Sequence, residues 1–293
     1  MAQLDVHQRD RARRGRWLAE VAWKYPLAVV VIFLAIFPLL YVVSVAVARN
    51  STLTGSTRLF SSFSTANFVA LGETSFWTWC LNTIVIGSAT AVGSVLMGAA
   101  AAYAFSRFQF RGRRFALTSL LIVQMFPQML AFVAIYLLLL TIGDVVPALG
   151  INSKLALIAV YLGGALGANT FLMYGFFNTI PKSLDEAAKI DGATHSQIYW
   201  GIILRLVTPI LAVVALLSFI GTFGDFILAR IILTKEGSWT LAVGMYQWVA
   251  SELNANWGLF TAGSVIASLP ILVLFFALQK YIVGGLTAGS VKG

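Results

Sequence analysis

Charged side chains are scarce in this chain. Asp, Glu, Lys and Arg make up 11% of its 293 residues, whereas 59% of the residues are hydrophobic. A soluble domain carries about 25% charged residues, and so few charges cannot cover the surface of a water-soluble fold of this length. The composition therefore excludes a soluble globular protein and predicts a protein embedded in a lipid bilayer.

Residues for disulfide, metal and catalytic chemistry are equally few. Cys80 is the single cysteine, which excludes a disulfide within the chain, and His7 and His195 have no Cys or carboxylate cluster near them in the sequence. There is no G-x-x-x-x-G-K-[ST] phosphate loop and no H-E-x-x-H, C-x-x-C or G-x-S-x-G motif. We expect no catalytic residue, no metal site and no cofactor on this chain.

Long apolar runs are abundant instead. A bilayer core about 30 Å thick needs about 20 mostly apolar residues per helix, and these runs are too uniformly apolar for the alternating strands of a barrel. The sequence predicts an all-α polytopic membrane protein. Six runs are long enough to be transmembrane helices: about 26–47, 80–105, 116–141, 155–180, 207–233 and 258–283.

Basic residues are sorted between the segments that connect these runs. The N-terminal segment, the connections after the second and fourth runs, and the C-terminal tail counted together with Lys280 at the end of the sixth run hold 15 of the 20 Lys and Arg residues. This bias predicts that both termini are cytoplasmic. We divide the chain into a basic N-terminal segment (1–25), a six-helix domain (26–283) with a cytoplasmic loop (181–206), and a C-terminal tail (284–293).

The net charge of +9 has a second possible meaning, because a basic segment can bind nucleic acid. The N-terminal segment carries Trp17 and Trp23 among its basic residues, which favours a helix on an anionic membrane surface. Its cationic stretch and the following apolar run also resemble a signal peptide, with Ala46-Val47-Ala48 as a cleavage site, but the run is longer than a signal sequence needs. We expect a lipid bilayer and no nucleic acid as the partner.

A few polar residues lie within the apolar runs. Gln124 and Gln128 share a helix face around Pro127, and Asn169 lies in the middle of the fourth run. Such amides either hold helices together or line a polar path, and taken singly the first role is more common. Asp225 is either a solvated carboxylate near the outer boundary or a pathway residue. These four residues are the candidate pathway-lining set.

The loop between the fourth and fifth runs has a helical pattern. Ser183 is placed to cap a helix with Glu186 at its third position, and Gly192 is suited to end it. The apolar face of this helix is predicted to consist of Ala187, Ala188 and Ile190. A second helix is predicted from Thr194, with one apolar side formed by Ile198, Ile202 and Ile203.

The spacing in this loop resembles a known family. Glu186-Ala187-Ala188, Gly192, Ile202 and Leu204 match the EAA loop of permease subunits in bacterial ABC importers, although Arg205 stands where the family has proline and the nearest proline is Pro209. The similarity extends along nearly the whole chain and is greatest to the smaller, MalG-type permeases of maltose and maltodextrin importers. Matching stretches are 37–40, 102–107, 124–127, 161–164, 191–194, 240–245 and 285–293.

The resemblance implies a type I ABC importer permease fold in the bacterial cytoplasmic membrane. The loop would dock into a dimer of ABC ATPase subunits, which would carry ATP and Mg. The implied coupling residues are Glu186, Ala187, Ala188, Asp191, Gly192, Ala193, Ile202 and Leu204. The connection 234–257 would face an extracytoplasmic sugar-binding protein. The implied partner-facing residues there are Thr240, Gly244, Met245 and Trp248. A second permease subunit would complete a heterodimer.

Three functions follow as hypotheses. The first is a non-enzymatic permease subunit of an ATP-driven sugar importer, with maltose or maltodextrin as the solute implied by the resemblance and trehalose, another α-glucoside or a polyol as alternatives. The second is a stand-alone ion-coupled carrier, which would need an intramembrane charge network and an internal repeat that the sequence lacks. The third is a membrane enzyme, which would need a catalytic constellation.

Overall fold

The computed structural model describes residues 21–49, 59–60, 62–250 and 255–288. All regular elements in these ranges are helices, so the predicted all-α fold class is confirmed. The chain forms two compact units, one of residues up to 70 together with 256–265, the other of 71–255 together with 266 onward. Predictions for residues 1–20 and 289–293 lie outside the described residues.

The helices follow one another in a simple order. They are α1 (Lys24–Ala46), α2 (Ala66–Leu71), α3 (Phe76–Arg107), α4 (Arg113–Gln124), α5 (Gln128–Val145), α6 (Lys154–Phe177), α7 (Ser183–Ile190), α8 (His195–Ile198), α9 (Leu204–Leu206), α10 (Thr208–Gly224), α11 (Ile227–Ile232), α12 (Leu241–Tyr246) and α13 (Trp257–Ala288). A π-helical stretch, Tyr199–Ile203, joins α8 to α9, and short 3-10 turns lie at Pro147–Leu149 and Glu236–Ser238.

Five helices in the described ranges are long and apolar enough to cross a membrane, namely α1, α3, α5, α6 and α13. A sixth span is present if the segment His195–Leu206 is joined to α10, but these two parts meet at an angle of 77°. The count of six predicted runs thus matches the five long helices only if the bent pair is counted as one span.

Two predicted runs are interrupted. The run 116–141 is divided into α4 and α5 around Pro127, because proline lacks an N–H donor and disfavours a helical conformation in the residue before it. The run 207–233 is divided at Asp225, whose backbone is extended with φ −70° and ψ 125°. Hydropathy alone did not reveal either interruption.

The smaller unit contains the whole of α1, the first span. The apolar side chains of α1 are largely exposed, as expected for a lipid-facing helix, but its last residues Ser44, Val45 and Ala46 are buried. Asn67 on α2 donates to the carbonyl oxygens of Ala46 (2.9 Å) and Ala48 (3.0 Å). These bonds satisfy acceptors that the end of a helix leaves without a partner.

The larger unit is built around α3, which packs along both α6 and α10. Glycines on α3 allow this close approach: a Cβ atom on Gly93 would lie 2.7 Å from Leu162, and one on Gly87 would lie 3.1 Å from Phe219. Small residues let helix backbones approach closely within a membrane. Gly87 and Gly93 are therefore packing residues between the helices.

Two clusters of buried side chains stabilise opposite ends of this unit. One joins the end of α3 near Tyr103 to α6, α10 and the loop after α6. The other includes Ile86, which lies 17 residues earlier on α3 and hence about 25 Å away along the helix axis, with Leu157 and Ile232. The candidate sites lie at these two ends and in a cleft lined by residues of α3 to α6 and α10.

Candidate functional site

The loop after α6 forms two short helices joined by a turn. α7 starts at Ser183 and has Lys182 at its N-cap, so the predicted capping role of Ser183 is wrong by one residue. At its other end, Gly192 has φ +83°, and the N–H groups of Gly192 and Ala193 donate to the carbonyls of Lys189 (3.0 Å) and Ala188 (2.9 Å). This pair of bonds is a Schellman motif, which requires the left-handed conformation that glycine adopts readily.

The second helix begins where it was predicted. Thr194 caps α8, and Thr194 and Gln197 form a reciprocal capping box. The chain then continues through the π-helical stretch and α9 to Leu206, and Arg205, which stands in place of the family proline, lies within α9. The bend to α10 follows at Val207, and Pro209 lies in the first turn of α10.

The inner side of both helices packs into the protein. Ala188, Ile198 and Ile203 are buried in the same cluster as Ala102 and Phe177 of the adjacent spans. The predicted apolar face of α7 is wrong, because Ala188 is buried whereas Ile190 is 87% exposed. Residues two apart lie about 200° apart around a helix, so these two cannot share a face.

A buried ion pair fixes the start of this loop to the end of α3. Arg107 Nε lies 2.7 Å from Asp185 Oδ2, and both side chains are almost fully buried. The Arg107 guanidinium also donates to the carbonyl of Phe177 (3.2 Å), the last residue of α6, and to that of Ile180 (3.3 Å) just beyond it. Arg107 is one of the basic residues counted for the orientation and ends the matching stretch 102–107, but its pairing with Asp185 was not predicted from the sequence.

The coupling residues implied by the resemblance fall into two groups. The first is exposed and consists of Glu186, Ala187, Asp191 and Gly192. The second packs wholly or partly against the inner cluster and consists of Ala188, Ala193, Ile202 and Leu204. The sequence analysis missed Ile190 and Trp200, which is 57% exposed, as large apolar side chains on the outer surface of the loop.

All four candidate pathway residues line one cleft of about 810 Å³. Gln124 and Gln128 lie on either side of the break at Pro127, Asn169 lies on α6, and Asp225 follows α10. Neither sequence spacing nor composition indicated that these residues meet. Further polar groups in the lining, which the sequence analysis missed, come from Thr90, Tyr161, Ser218 and Thr222.

Most of these polar side chains also join helices. The Gln124 amide donates to the Gly164 carbonyl (3.0 Å), and the Asn169 amide donates to Ser218 Oγ (3.2 Å). Asp225 Oδ1 accepts from the Tyr161 hydroxyl (2.9 Å) and from the Ala229 N–H (3.0 Å). The two roles weighed for these residues are therefore compatible, since each can join helices and still face the cleft.

The connection after α11 is held against the start of α3. Trp79 donates to the Glu236 carbonyl (3.1 Å), and Asn82 donates to the carbonyls of Gly237 (3.0 Å) and Trp239 (2.9 Å). The Leu241 N–H donates to Thr83 Oγ1 (2.7 Å). This half of the connection is thus an ordered part of the larger unit.

The four residues proposed to face a binding protein are mostly buried here. Thr240 and Met245 are buried, Gly244 packs on the Trp79 ring, and the Trp248 ring lies 5.6 Å from that of Trp79. Their contact with a partner stays a prediction. The exposed residues beside them are Thr234, Lys235, Glu236, Gly237, Tyr246 and Gln247.

Comparison with protein families assigns the chain. Residues 94–287 match the family described as "Binding-protein-dependent transport system inner membrane component". The chain belongs to this family, and it is therefore an inner-membrane transport component. The match includes α6, α10 and the whole two-helix loop.

Several relatives are similar to this chain over most of its length. The "Maltodextrin transport system permease protein MdxG" of Bacillus subtilis is 40% identical over 88% of this chain and 91% of the relative. The "Maltose/maltodextrin transport system permease protein MalG" of Vibrio vulnificus is 38% identical over 96% and 99%. The "Galactooligosaccharides transport system permease protein GanQ" of B. subtilis is 45% identical over 73% and 74%.

Solved structures support the same fold. A bacterial ABC transporter involved in the import of the acidic polysaccharide alginate matches with a TM-score of 0.77 at 22% identity, over 92% of this chain and 98% of that one. A bacterial alginate ABC transporter in complex with an alginate pentasaccharide-bound periplasmic protein matches with a TM-score of 0.63 at 15% identity, over 92% and 94%. The predicted ABC importer permease fold is confirmed.

The ion pair generates the first prediction. Asp185→Asn and Arg107→Gln should each destabilise the protein by about 3 kcal/mol, because each leaves a buried charge without its partner. The double variant should lose clearly less than the sum of the two. Thermal unfolding of the purified protein in detergent measures these losses, with exposed Arg111→Gln as the control. Strictly additive losses would show that the two charges do not interact.

The packing of α12 on α3 generates the second prediction. A Cβ atom on Gly244 would lie 2.1 Å from the Trp79 ring, so Gly244→Ala should destabilise the protein by about 1–3 kcal/mol. Gly175→Ala is the matched control, because no atom lies within 4 Å of a Cβ there and alanine favours a helix. Thermal unfolding should separate the two variants, and equal melting temperatures would contradict the packing.

Proposed function

We propose that this chain is one of two permease subunits of an ATP-driven importer for a neutral oligosaccharide, with maltose or maltodextrin as the first candidate. The names of the relatives carry the choice of solute: two of them are maltodextrin or maltose permeases, and a third is a galactooligosaccharide permease. Trehalose, another α-glucoside or a polyol remains the alternative. The solute-binding protein that works with this chain would select among them.

The energy for transport would come from a partner dimer of ABC ATPase subunits that binds ATP and Mg. The observation that carries this part is the construction of the two-helix loop, whose outer surface is exposed while its inner surface is packed and ion-paired to α3, α6 and α10. Close-packed interiors transmit displacement rather than absorb it. A displacement of the exposed residues near Glu186 would therefore be transmitted to the spans that line the cleft.

The cleft is the candidate translocation path. Its volume of about 810 Å³ is in the usual range for ligand sites, and its polar groups are amides, hydroxyls and a single carboxylate. Neutral donors and acceptors suit a solute rich in hydroxyl groups. Asp225 is the single charged residue in this lining, and one carboxylate is not the intramembrane charge network that a stand-alone ion-coupled carrier needs, which disfavours that alternative.

The remaining partners follow from this arrangement. Six helices of one chain rarely enclose a route for an oligosaccharide, so a second permease subunit would complete the path. With the two-helix loop in the cytoplasm, both termini would be cytoplasmic, and the connection after α11 would face the solute-binding protein outside. Co-purification of the tagged chain with the proposed second permease subunit, the ATPase subunits and the solute-binding protein would test the subunit composition.

The coupling role gives the third prediction. Glu186→Lys should reduce transport at least about tenfold and weaken ATPase association, because a reversed charge at a protein interface costs several kcal/mol. The Glu186 side chain is exposed, so the variant should still fold. Glu73→Lys makes the same charge change at an exposed position before α3 and should retain ATPase association. Normal ATPase association and transport in Glu186→Lys would contradict the coupling role.

The cleft gives the fourth prediction. Gly163 lines the cleft and has no atom within 4 Å of an added Cβ, so Gly163→Leu should fold normally while filling the path. Gly175→Leu on the same helix also has free space but lies outside the cleft. Uptake of radiolabelled sugar should fall strongly in the first variant, most for long oligosaccharides, and little in the second. Equal uptake by both variants would place the path elsewhere.

A further inference from the structure

A basic cleft lies beside the first turn of α4, away from the proposed path. It encloses about 760 Å³ and is lined by Gln109, Phe110, Gly112, Arg113, Arg114, Phe115, Leu117 and Tyr174. None of the coupling or pathway residues is in this lining. The two-helix loop and the proposed sugar path therefore leave the cleft without a function.

No acidic side chain among the described residues forms an ion pair with an arginine of this cleft. No Asp or Glu occurs from residue 74 to 143, which includes α4, or from residue 145 to 184, which includes α6. Asp185, the next acid along the chain, is paired with Arg107. Arg114 is exposed and, in the part of the chain that the structure describes, makes no hydrogen bond or ion pair. The cleft is therefore positively charged and suited to bind an anion.

One arginine of the cleft is held in position for an anion. The Arg113 guanidinium donates to the Tyr174 hydroxyl (2.8 Å) and lies 5.7 Å from the centre of the Tyr174 ring. A guanidinium has five N–H donors in a planar fork, so this contact leaves donors free for a phosphate oxygen. Tyrosine is also enriched at the level of lipid headgroups.

The cleft continues along α4 into an apolar surface. Phe115 is 79% exposed and Ile122 is 61% exposed, and residues seven apart lie on one helix face. α4 has 12 residues, so it is about 18 Å long, close to the thickness of one leaflet of the bilayer core. A molecule with an anionic head and apolar chains would match both the cleft and this stripe.

We propose that this cleft binds the headgroup of an anionic phospholipid of the inner leaflet. Arg113 and Arg114 contact the phosphodiester, and the acyl chains lie along the Phe115–Ile122 face of α4. The charge pattern favours this occupant over a free anion, because the apolar stripe continues directly from the basic residues. The proposal concerns a site separate from the path and the two-helix loop, and it does not depend on which solute is transported.

Photolabelling of the complete importer tests the proposal. The importer is reconstituted in liposomes with a photoactivatable phosphatidylglycerol or, in parallel, a phosphatidylcholine carrying the same label, and labelled peptides are identified by mass spectrometry. Phosphatidylglycerol should label the peptides that contain Phe115 and Ile122 much more strongly than phosphatidylcholine does. Equal labelling of these peptides by the two lipids would overturn the proposal.

Matched variants separate the site from general surface charge. Arg114→Gln should reduce the labelling by phosphatidylglycerol at least about tenfold, because it removes a charge-assisted contact, whereas Arg111→Gln, which lies outside the cleft, should reduce it about fivefold or less through long-range attraction. Arg114→Lys should keep most of the labelling. Equal losses in Arg111→Gln and Arg114→Gln would overturn the proposal, and so would a high-yield cross-link from Phe115→Cys to another subunit.

Discussion

The buried ion pair between Arg107 and Asp185 is the contact on which the functional arrangement of this permease depends. It joins the end of α3 to the first turn of α7, and the same guanidinium binds the carbonyl of the last residue of α6 and one carbonyl just beyond it. The end of α3 is thereby fixed both to the end of α6 and to the loop that follows it. Separating the pair would leave two buried charges without their partners, so the loop cannot detach from the spans without a large cost in free energy.

The fold class, the two-helix loop and the second helix start could be predicted because each has a strong local signal. Apolar runs specify spans, and Thr194 with Gln197 specifies a helix start by their own hydrogen bonds. The breaks at Pro127 and Asp225 were harder, because a membrane helix tolerates such residues when neighbouring groups satisfy the backbone. Asp225 takes part in that compensation through the Ala229 N–H. The Arg107–Asp185 pair had no local signal, since it depends on tertiary packing.

The polar residues of the cleft show why function is hard to infer from one position at a time. Gln124, Asn169 and Asp225 each hydrogen-bond to another segment, which is sufficient to explain their presence in an apolar helix. Only the three-dimensional arrangement brings them to a single cavity. A polar group that joins helices and faces a path has a fixed orientation, and fixed groups present a defined surface to a passing solute.

The 77° bend between the segment His195–Leu206 and α10 has a mechanical consequence. Because the two parts are nearly perpendicular, a rotation of the first part about the bend would turn or tilt the second. The segment is 12 residues long, or about 18 Å as a helix, so a shift of about 2 Å at its far end, typical of helix movements at interfaces, turns it by about 6°. α10 would rotate or tilt by a similar angle and would carry Ser218 and Thr222 with it, and thereby change the shape of the cleft wall.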